Sequence, residues 1–140
     1  MQEMLKINHP KFIGSNYVLN AANKERKKVY VSLENDVFEV RITFEGFVYG
    51  VFSYDESLLQ GRMAELARLA KQNDIVLRDE EGYVFEIKKS TLVEYTQQNS
   101  YRFYEQIGEE LLHIIVYTEN DVVELITDTL PMFTMFKKLV

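Results

Sequence analysis

The sequence predicts an α+β fold, in which a largely antiparallel sheet of two β-meanders packs on one main α-helix. Short runs with alternating apolar residues occur along most of the chain, whereas the apolar spacing of a helix is clear only over residues 57–73. Nine Tyr and nine Phe residues also favour strands. We expect the sheet to be strongly curled, with a barrel-like closure as the limiting form.

A single domain covering residues 1–140 is the expected organisation. The chain is 46% hydrophobic and 27% charged, which is typical of a globular domain, and 140 residues is an ordinary domain length. Residues 1–27 show the weakest periodicity, so we expect a short strand or an irregular N-terminal arm there.

The first meander is predicted over residues 29–54. Residues 29–33 and 38–44 alternate between apolar and polar side chains, which is the pattern of strands with one buried face. Asn35 and Asp36 lie between these runs and suit a tight turn. A second turn at Glu45-Gly46 leads into the run FVYGVFSY, which is apolar on both faces and is predicted as the third strand.

The main helix is predicted from a change of apolar spacing after residue 54. Asp55 or Ser57 can cap its N-terminus, and Asn73-Asp74 can end it. The apolar stripe along one side of this helix consists of Leu59, Met63, Leu66 and Ala70.

The C-terminal half is predicted to contain a hairpin and a second meander. The runs IVLR and YVFEI flank a turn, and the runs YRFYEQI, LLHIIVYT and VVELIT follow as strands. Residues 90–99 allow two assignments, because TLVEY has strand propensity while Thr91 and Glu94 have the spacing of a helix-capping box.

The last segment, residues 130–140, is too apolar for a free tail. Pro131 can open a short helix there. Three placements are open for this segment: docking on its own sheet, capping a second copy, or presentation to another protein. We expect intramolecular docking.

The charge balance argues against nucleic-acid binding. The formal net charge is −6, whereas affinity for nucleic acid comes mainly from Lys and Arg. Residues 1–33 hold six bases and two acids, a net +4, so residues 34–140 hold ten bases and twenty acids, a net −10. A charge-steered partner should therefore meet the acidic body of the protein.

The chain contains no cysteine, which excludes disulfides, thiolate metal sites and iron–sulfur clusters. Its first ten residues include Glu3 and no apolar run, so they do not resemble a secretory signal. The longest apolar runs are far shorter than the roughly 20 residues that span a bilayer. We therefore expect a cytoplasmic protein without a membrane role.

Little in the sequence indicates catalysis. Only His9 and His113 can act as acid–base groups near neutral pH, and neither lies in a recognisable catalytic or metal-binding motif. The six glycines form no phosphate-binding loop. The sequence therefore predicts no catalytic residue, metal or cofactor, and leans against an enzyme. His113 is expected to be a strand residue that is hydrogen-bonded to a neighbour.

The preferred function is a non-enzymatic protein-interaction or inhibitor module of bacterial type, whose acidic body covers a basic partner. Self-association is also open. The first alternative is a barrel or cup that binds a small apolar ligand, and the second is an enzyme that uses carboxylates or His113. The candidate ligand or interface residues are Tyr49, Tyr54, Tyr101, Phe103, Tyr117, Phe133 and Phe136.

Overall fold

The computed structural model describes residues 1–9, 18–25, 28–78 and 81–139; for residues 18–25 and residue 28 it describes the backbone alone. The strands in these ranges are β1 (Glu3–Lys6), β2 (Val18–Glu25), β3 (Lys28–Glu34), β4 (Phe38–Phe44), β5 (Val48–Ser53), β6 (Tyr83–Lys88), β7 (Leu112–Tyr117), β8 (Val122–Thr127) and β9 (Met132–Lys137). The helices are α1 (Glu56–Gln72), α2 (Thr91–Asn99) and α3 (Phe103–Gln106).

The strands form two antiparallel sheets. The central sheet has five strands in the order β1-β6-β7-β8-β5, and the outer sheet has four in the order β2-β3-β4-β9. The predicted α+β class with a largely antiparallel sheet and one main helix is confirmed. Instead of a barrel-like closure, the described strands form two sheets with open edges.

The outer sheet packs on one face of the central sheet. Alternate side chains of β3 and β4 point inward, as their period of two predicts, and meet apolar side chains from β6, β7 and β8. Buried residues of this core are Val29, Val31, Leu33, Val40, Ile42, Phe44, Val84, Ile114, Val116, Val123 and Leu125.

Helix α1 covers the opposite face of the central sheet. Leu59, Leu66 and Ala70 are buried there, together with strand residues such as Phe85 and Ile115. The central strands are thus covered on both faces, and all six residues of β8 are buried. This explains why VVELIT reads as a continuous run rather than an alternating one.

The predicted main helix is confirmed, and its N-cap is Asp55. The Asp55 carboxylate accepts hydrogen bonds from the backbone N–H groups of Ser57 (3.0 Å) and Leu58 (3.3 Å). No helix in the described part of the chain has both the length and the apolar character needed to cross a bilayer.

Strand β5 does not complete the first meander. It pairs with β8 in the central sheet instead of with β4. The reason lies in the preceding turn, where the N–H of Gly46 donates to Thr129 Oγ1 (3.2 Å) and the N–H of Phe47 donates to Asp128 Oδ1 (2.9 Å). These bonds fix the chain beside the end of β8, where the next strand then starts.

The run YRFYEQI is not a strand. Tyr101 and Arg102 have left-handed φ angles of 53° and 58°, which reverse the chain after α2 and lead into α3. The ambiguity over residues 90–99 resolves in favour of helix. Its cap is Ser90 rather than Thr91, because Ser90 Oγ accepts from the N–H of Val93 (3.1 Å).

Two further predictions differ from the structure. The run IVLR is not a strand, and the segment after Pro131 forms β9 instead of a short helix. Strand β9 pairs with β4, which is the expected intramolecular docking of residues 132–137. The N-terminal arm contributes β1 and β2, while its residues 10–17 and 26–27 lie outside the described residues.

Candidate interaction surface

The aromatic residues singled out from the sequence lie in different layers of the fold. Tyr117 packs beneath α1 against Phe85, with ring centroids 6.3 Å apart. Phe133 is partly buried between the two sheets. Phe136 lies on the outer sheet, where the Arg41 guanidinium is 5.6 Å from the centre of its ring. Tyr54 hydrogen-bonds to Glu124.

A continuous aromatic patch does form around Tyr49 and Phe103. Tyr49 stands between two neighbours, with its ring centroid 6.3 Å from Phe47 and 4.6 Å from Tyr104. Tyr104 in turn meets Phe103 edge to face at 5.5 Å. Phe47 and Phe103 are 66% and 53% exposed, so the patch presents two rings to solvent on two half-buried supports. Tyr101 lies next to it along the chain. We use "aromatic patch" for Phe47, Tyr49, Phe103 and Tyr104.

The backbone that carries Phe47 is fixed on both sides. Its N–H donates to Asp128 Oδ1, and its carbonyl oxygen accepts from Thr127 Oγ1 (2.9 Å) and from the N–H of Asp128 (3.2 Å). The adjacent Gly46 approaches the same turn so closely that a Cβ there would overlap with Asp128 and Thr129. The backbone that carries the exposed ring of Phe47 is therefore held in place before any partner arrives.

The other half of the patch depends on a strained turn. Tyr101 and Arg102 are consecutive non-glycine residues with positive φ, a conformation that costs on the order of 1 kcal/mol each. Arg102 is held by ion pairs to Glu94 and Glu105. Backbone strain of this kind persists where surrounding contacts hold the conformation, and it is common at functional sites. Here it brings Phe103 and Tyr104 onto Tyr49.

Tyr49 is tied to the following loop by a hydrogen bond that its hydroxyl donates to Glu109. Burial raises the pKa of Tyr49 above its usual value, and the bond to the Glu109 carboxylate raises it further. The phenol thus stays protonated and keeps donating to Glu109. This bond connects β5 to the segment after α3 and so fixes the middle of the patch.

The two chain segments that carry the patch and β5 contain acidic residues but no basic ones, and Arg62 and Arg102 border them. Residues 42–61 and 103–136 together contain ten Asp and Glu residues and no Lys or Arg. One of the ten, Glu124, is buried, and another, Glu105, is paired with Arg102. The patch residues and strand β5 come from these two segments, so the rings lie within the acidic body predicted from the sequence. We call these segments the acidic belt.

A second constellation is buried between the central sheet and α1. His113 on β7 lies between Ser90 and Glu124, with Nδ1 2.7 Å from Ser90 Oγ and Nε2 2.8 Å from Glu124 Oε1. Arg62 on α1 binds both oxygens of the Glu124 carboxylate, at 2.8 Å and 2.7 Å, and Tyr54 donates to it as well. Four donors therefore surround one carboxylate.

These bonds define the charge state of Glu124. Although burial alone would raise its pKa, the hydrogen bonds from His113, Arg62 and Tyr54 outweigh it and lower the pKa to about 2. The same contact, with burial, raises the pKa of Tyr54 to about 12. Every acceptor site of the carboxylate is used, and Ser90 Oγ also caps α2. We interpret the network as a structural tie that joins α1, α2 and Tyr54 to the central sheet.

The expected strand position of His113 with a hydrogen-bonded neighbour is confirmed. Its partners were not predicted. Glu124 did carry a signal, because it is the only charged residue in the apolar run VVELIT, and a lone acid in a doubly buried strand requires a partner. Phe47 and Tyr104 were absent from the candidate residues because their proximity to Tyr49 depends on the tertiary fold.

The rings proposed to line a ligand cup do not come together in any of four surface clefts that measure about 370 to 570 Å³. Tyr117 lines one of about 370 Å³ and Phe136 another of about 520 Å³. Tyr49, Tyr54, Tyr101 and Phe103 line none of the four. Within the described ranges, no three His, Cys, Asp or Glu side chains gather in a way that could hold a metal ion.

A scan against protein-family models and searches of curated proteins and of solved structures found no match to this chain.

Proposed function

We propose that this protein is an interaction module that binds a basic partner protein through its aromatic patch, and that covering the partner's surface is how it inhibits or regulates it. The observation that carries the proposal is the presentation of Phe47 and Phe103 to solvent, with the backbone of Phe47 held by hydrogen bonds to Thr127 and Asp128. Exposed single apolar residues are ordinary, whereas contiguous rings on a rigid support are typical of protein-binding surfaces.

The rings supply the binding energy in this proposal. Burial of roughly 100 Å² of each exposed ring contributes about 2.5 kcal/mol at about 25 cal/mol per Å². Because the backbone of Phe47 is already held, little backbone conformational entropy is lost there on binding. Two such rings at the centre of an interface have the character of a hot spot.

The acidic belt supplies the selectivity. The solvent-facing acids of this belt favour partners that carry Lys or Arg around an apolar centre, and they repel acidic partners. Long-range attraction also accelerates association and weakens as salt screens it. We therefore expect binding that is faster and tighter at low salt.

Site-specific photo-cross-linking in lysate of the source cells tests the proposal. A photoreactive phenylalanine analogue replaces Tyr101, which is 88% exposed beside the patch, or Tyr95, which is 63% exposed on α2. We expect position 101 to cross-link a basic protein that position 95 does not. Two further substitutions, Phe47→Ser and Phe103→Ser, should abolish that product.

High salt provides the second criterion, because it should reduce the yield of the product if the acidic belt steers the partner. Equal labelling at positions 95 and 101, or a product that survives loss of both rings, would show that the patch is not the contact surface.

A further inference from the structure

Strand β5 is an exposed edge of the central sheet. It pairs with β8 on one side only, in the regular register Gly50↔Ile126 to Ser53↔Val123, and its other side is unpaired among the described strands. An unpaired edge presents a row of backbone N–H and C=O groups to which a further strand can add.

Natural proteins usually protect such edges with charged residues, and the other edges of this fold follow that rule. Strand β1 carries Glu3 and Lys6, β2 carries Lys24 and Glu25, and β9 carries Lys137. Strand β5, with the sequence VYGVFS, has no charged residue and no proline. Its only irregularity lies between Val48 and Gly50, ahead of the regular part.

The side chains of this edge are apolar on both faces. Val51 pairs with Leu125, which faces the outer sheet, whereas Phe52 pairs with Glu124, which faces α1. Val51 is 42% exposed, and Phe52 is exposed to a similar extent. An incoming strand would find an apolar contact on each face and the aromatic patch at one end, because Tyr49 belongs to β5.

From these observations we propose that β5 is a docking edge, on which an extended segment of the partner that alternates apolar residues with Lys or Arg adds as a sixth strand of the central sheet. This inference rests on the proposed function, since it specifies how the same surface engages its partner. Backbone hydrogen bonds to β5 would supply affinity, and the acidic belt would select the cations.

The charges around β5 favour such a segment over a second copy of this chain. Antiparallel pairing of two β5 strands would place two acidic belts side by side, and the bordering Arg62 and Arg102 already pair with carboxylates of their own chain. Like charges in that position oppose association. A basic strand would instead be attracted by the acidic belt.

Backbone amide exchange, measured by NMR, tests the inference with defined probes. The probe is a short synthetic peptide that alternates Lys and Val, and its matched control alternates Glu and Val. We expect the Lys–Val peptide to slow exchange at residues 50–53 by about tenfold or more, and the Glu–Val peptide to leave it unchanged.

Two variants distinguish binding at the β5 edge from a general effect of added charge on peptide binding. Val51→Lys gives β5 the charge that other edges carry and should weaken binding of the Lys–Val peptide by about tenfold. Val37→Lys adds the same charge at a similarly exposed position, 47%, in the β3–β4 turn and should leave binding unchanged.

Three results would overturn the inference. If the Lys–Val peptide shifts the ring signals of Phe47 and Phe103 without protecting β5, strand addition is wrong while the proposed function stands. If neither peptide protects residues 50–53, the edge does not accept a basic strand, and the cross-linking result alone decides the proposed function. Protection that grows with protein concentration in the absence of peptide would identify a second copy as the occupant.

Discussion

His113 and Glu124 lie side by side on β7 and β8, with Nε2 2.8 Å from Oε1, and they are only 2% and 1% exposed. They are two polar side chains in the most deeply buried layer of the protein. His113 provides one hydrogen bond to the carboxylate, and Arg62 and Tyr54 complete its hydrogen bonding from outside the sheet. The pair therefore holds α1 and the end of β5 in position, and thus indirectly the strand that carries the patch.

Replacing Glu124 should severely destabilise the fold. The substitution Glu124→Gln removes the charge that pairs with Arg62 and replaces an acceptor oxygen by a donor, and breaking a buried pair in this way costs about 3–5 kcal/mol. Urea unfolding measures the loss. The matched control is Glu65→Gln, since Glu65 pairs with the same Arg62 but is mostly exposed, and it should cost about 0.5 kcal/mol or less. Similar losses for both variants would contradict the structural role of Glu124.

The depressed pKa of Glu124 implies acid sensitivity. The pKa is about 2 in the folded protein against 4.5 for an unperturbed Glu, so the unfolded state binds the proton more readily. Stabilisation by the carboxylate is then complete above pH 4.5 and is lost as the pH falls through about 2, by about 3 kcal/mol in total. Unfolding free energies of the wild type and Glu124→Gln across this range should converge at low pH. Parallel curves would exclude Glu124 as the cause.

A side chain at Gly46 should destabilise the β4–β5 turn. In Gly46→Ala the new Cβ would lie about 2.5 Å from Thr129 Cγ2 and would also overlap with Asp128, so both side chains must shift and the hydrogen bonds that they accept from Gly46 and Phe47 should weaken. We expect a loss of about 1–3 kcal/mol in thermal or urea unfolding, together with weaker cross-linking at Tyr101.

The control for this substitution is Gly61→Ala in α1, where nothing lies within 4 Å of the new Cβ. Alanine there should stabilise the protein by about 0.5–1 kcal/mol, because it favours the helical backbone. If Gly46→Ala were equally stabilising, the close approach at the β4–β5 turn would be disproved.

Replacing Tyr101 by glycine should make the fold more stable and partner binding weaker. Its φ of 53° suits glycine, and its side chain is almost fully exposed, so Tyr101→Gly should stabilise the fold by about 0.5–1 kcal/mol while it weakens partner binding. Tyr95→Gly, inside α2, should instead destabilise by about 1 kcal/mol and leave binding intact. A destabilised Tyr101→Gly would mean that the Tyr101 side chain packs more than its exposure suggests.

Much of the local structure followed from the sequence. The spacing of Leu59, Leu66 and Ala70 predicted the helix to within a residue, and the alternation in residues 29–44 predicted the β3–β4 hairpin with its turn at Asn35 and Asp36. Both signals are local, since they depend on which side of one element faces the core. The failures also have local causes. The open assignment of residues 90–99 was decided by Ser90, which caps α2, and the left-handed Tyr101 and Arg102 turned an apparent strand into α3.

The site was less accessible from the sequence, because it depends on contacts between distant segments. Tyr49 and Phe103 were identified individually, but their common patch requires Tyr104 to reach Tyr49 across the end of the central sheet. The spacing of residues along the chain does not predict such a long-range contact. The acidic belt, by contrast, is present in the sequence as two long segments without a Lys or Arg.

By itself, then, the amino-acid order of this protein determined its class, its main helix, the faces its strands bury and the sign of its charge, because each depends on periodicity or composition along one segment. Only the tertiary structure decided which strands pair, and hence that β5 leaves the first meander for the edge of the central sheet. The physical reason is that a strand's period selects its buried face but not its neighbour, whereas long-range bonds such as Phe47 N–H to Asp128 select the neighbour. Those same bonds created the edge and the patch on which the proposed function rests.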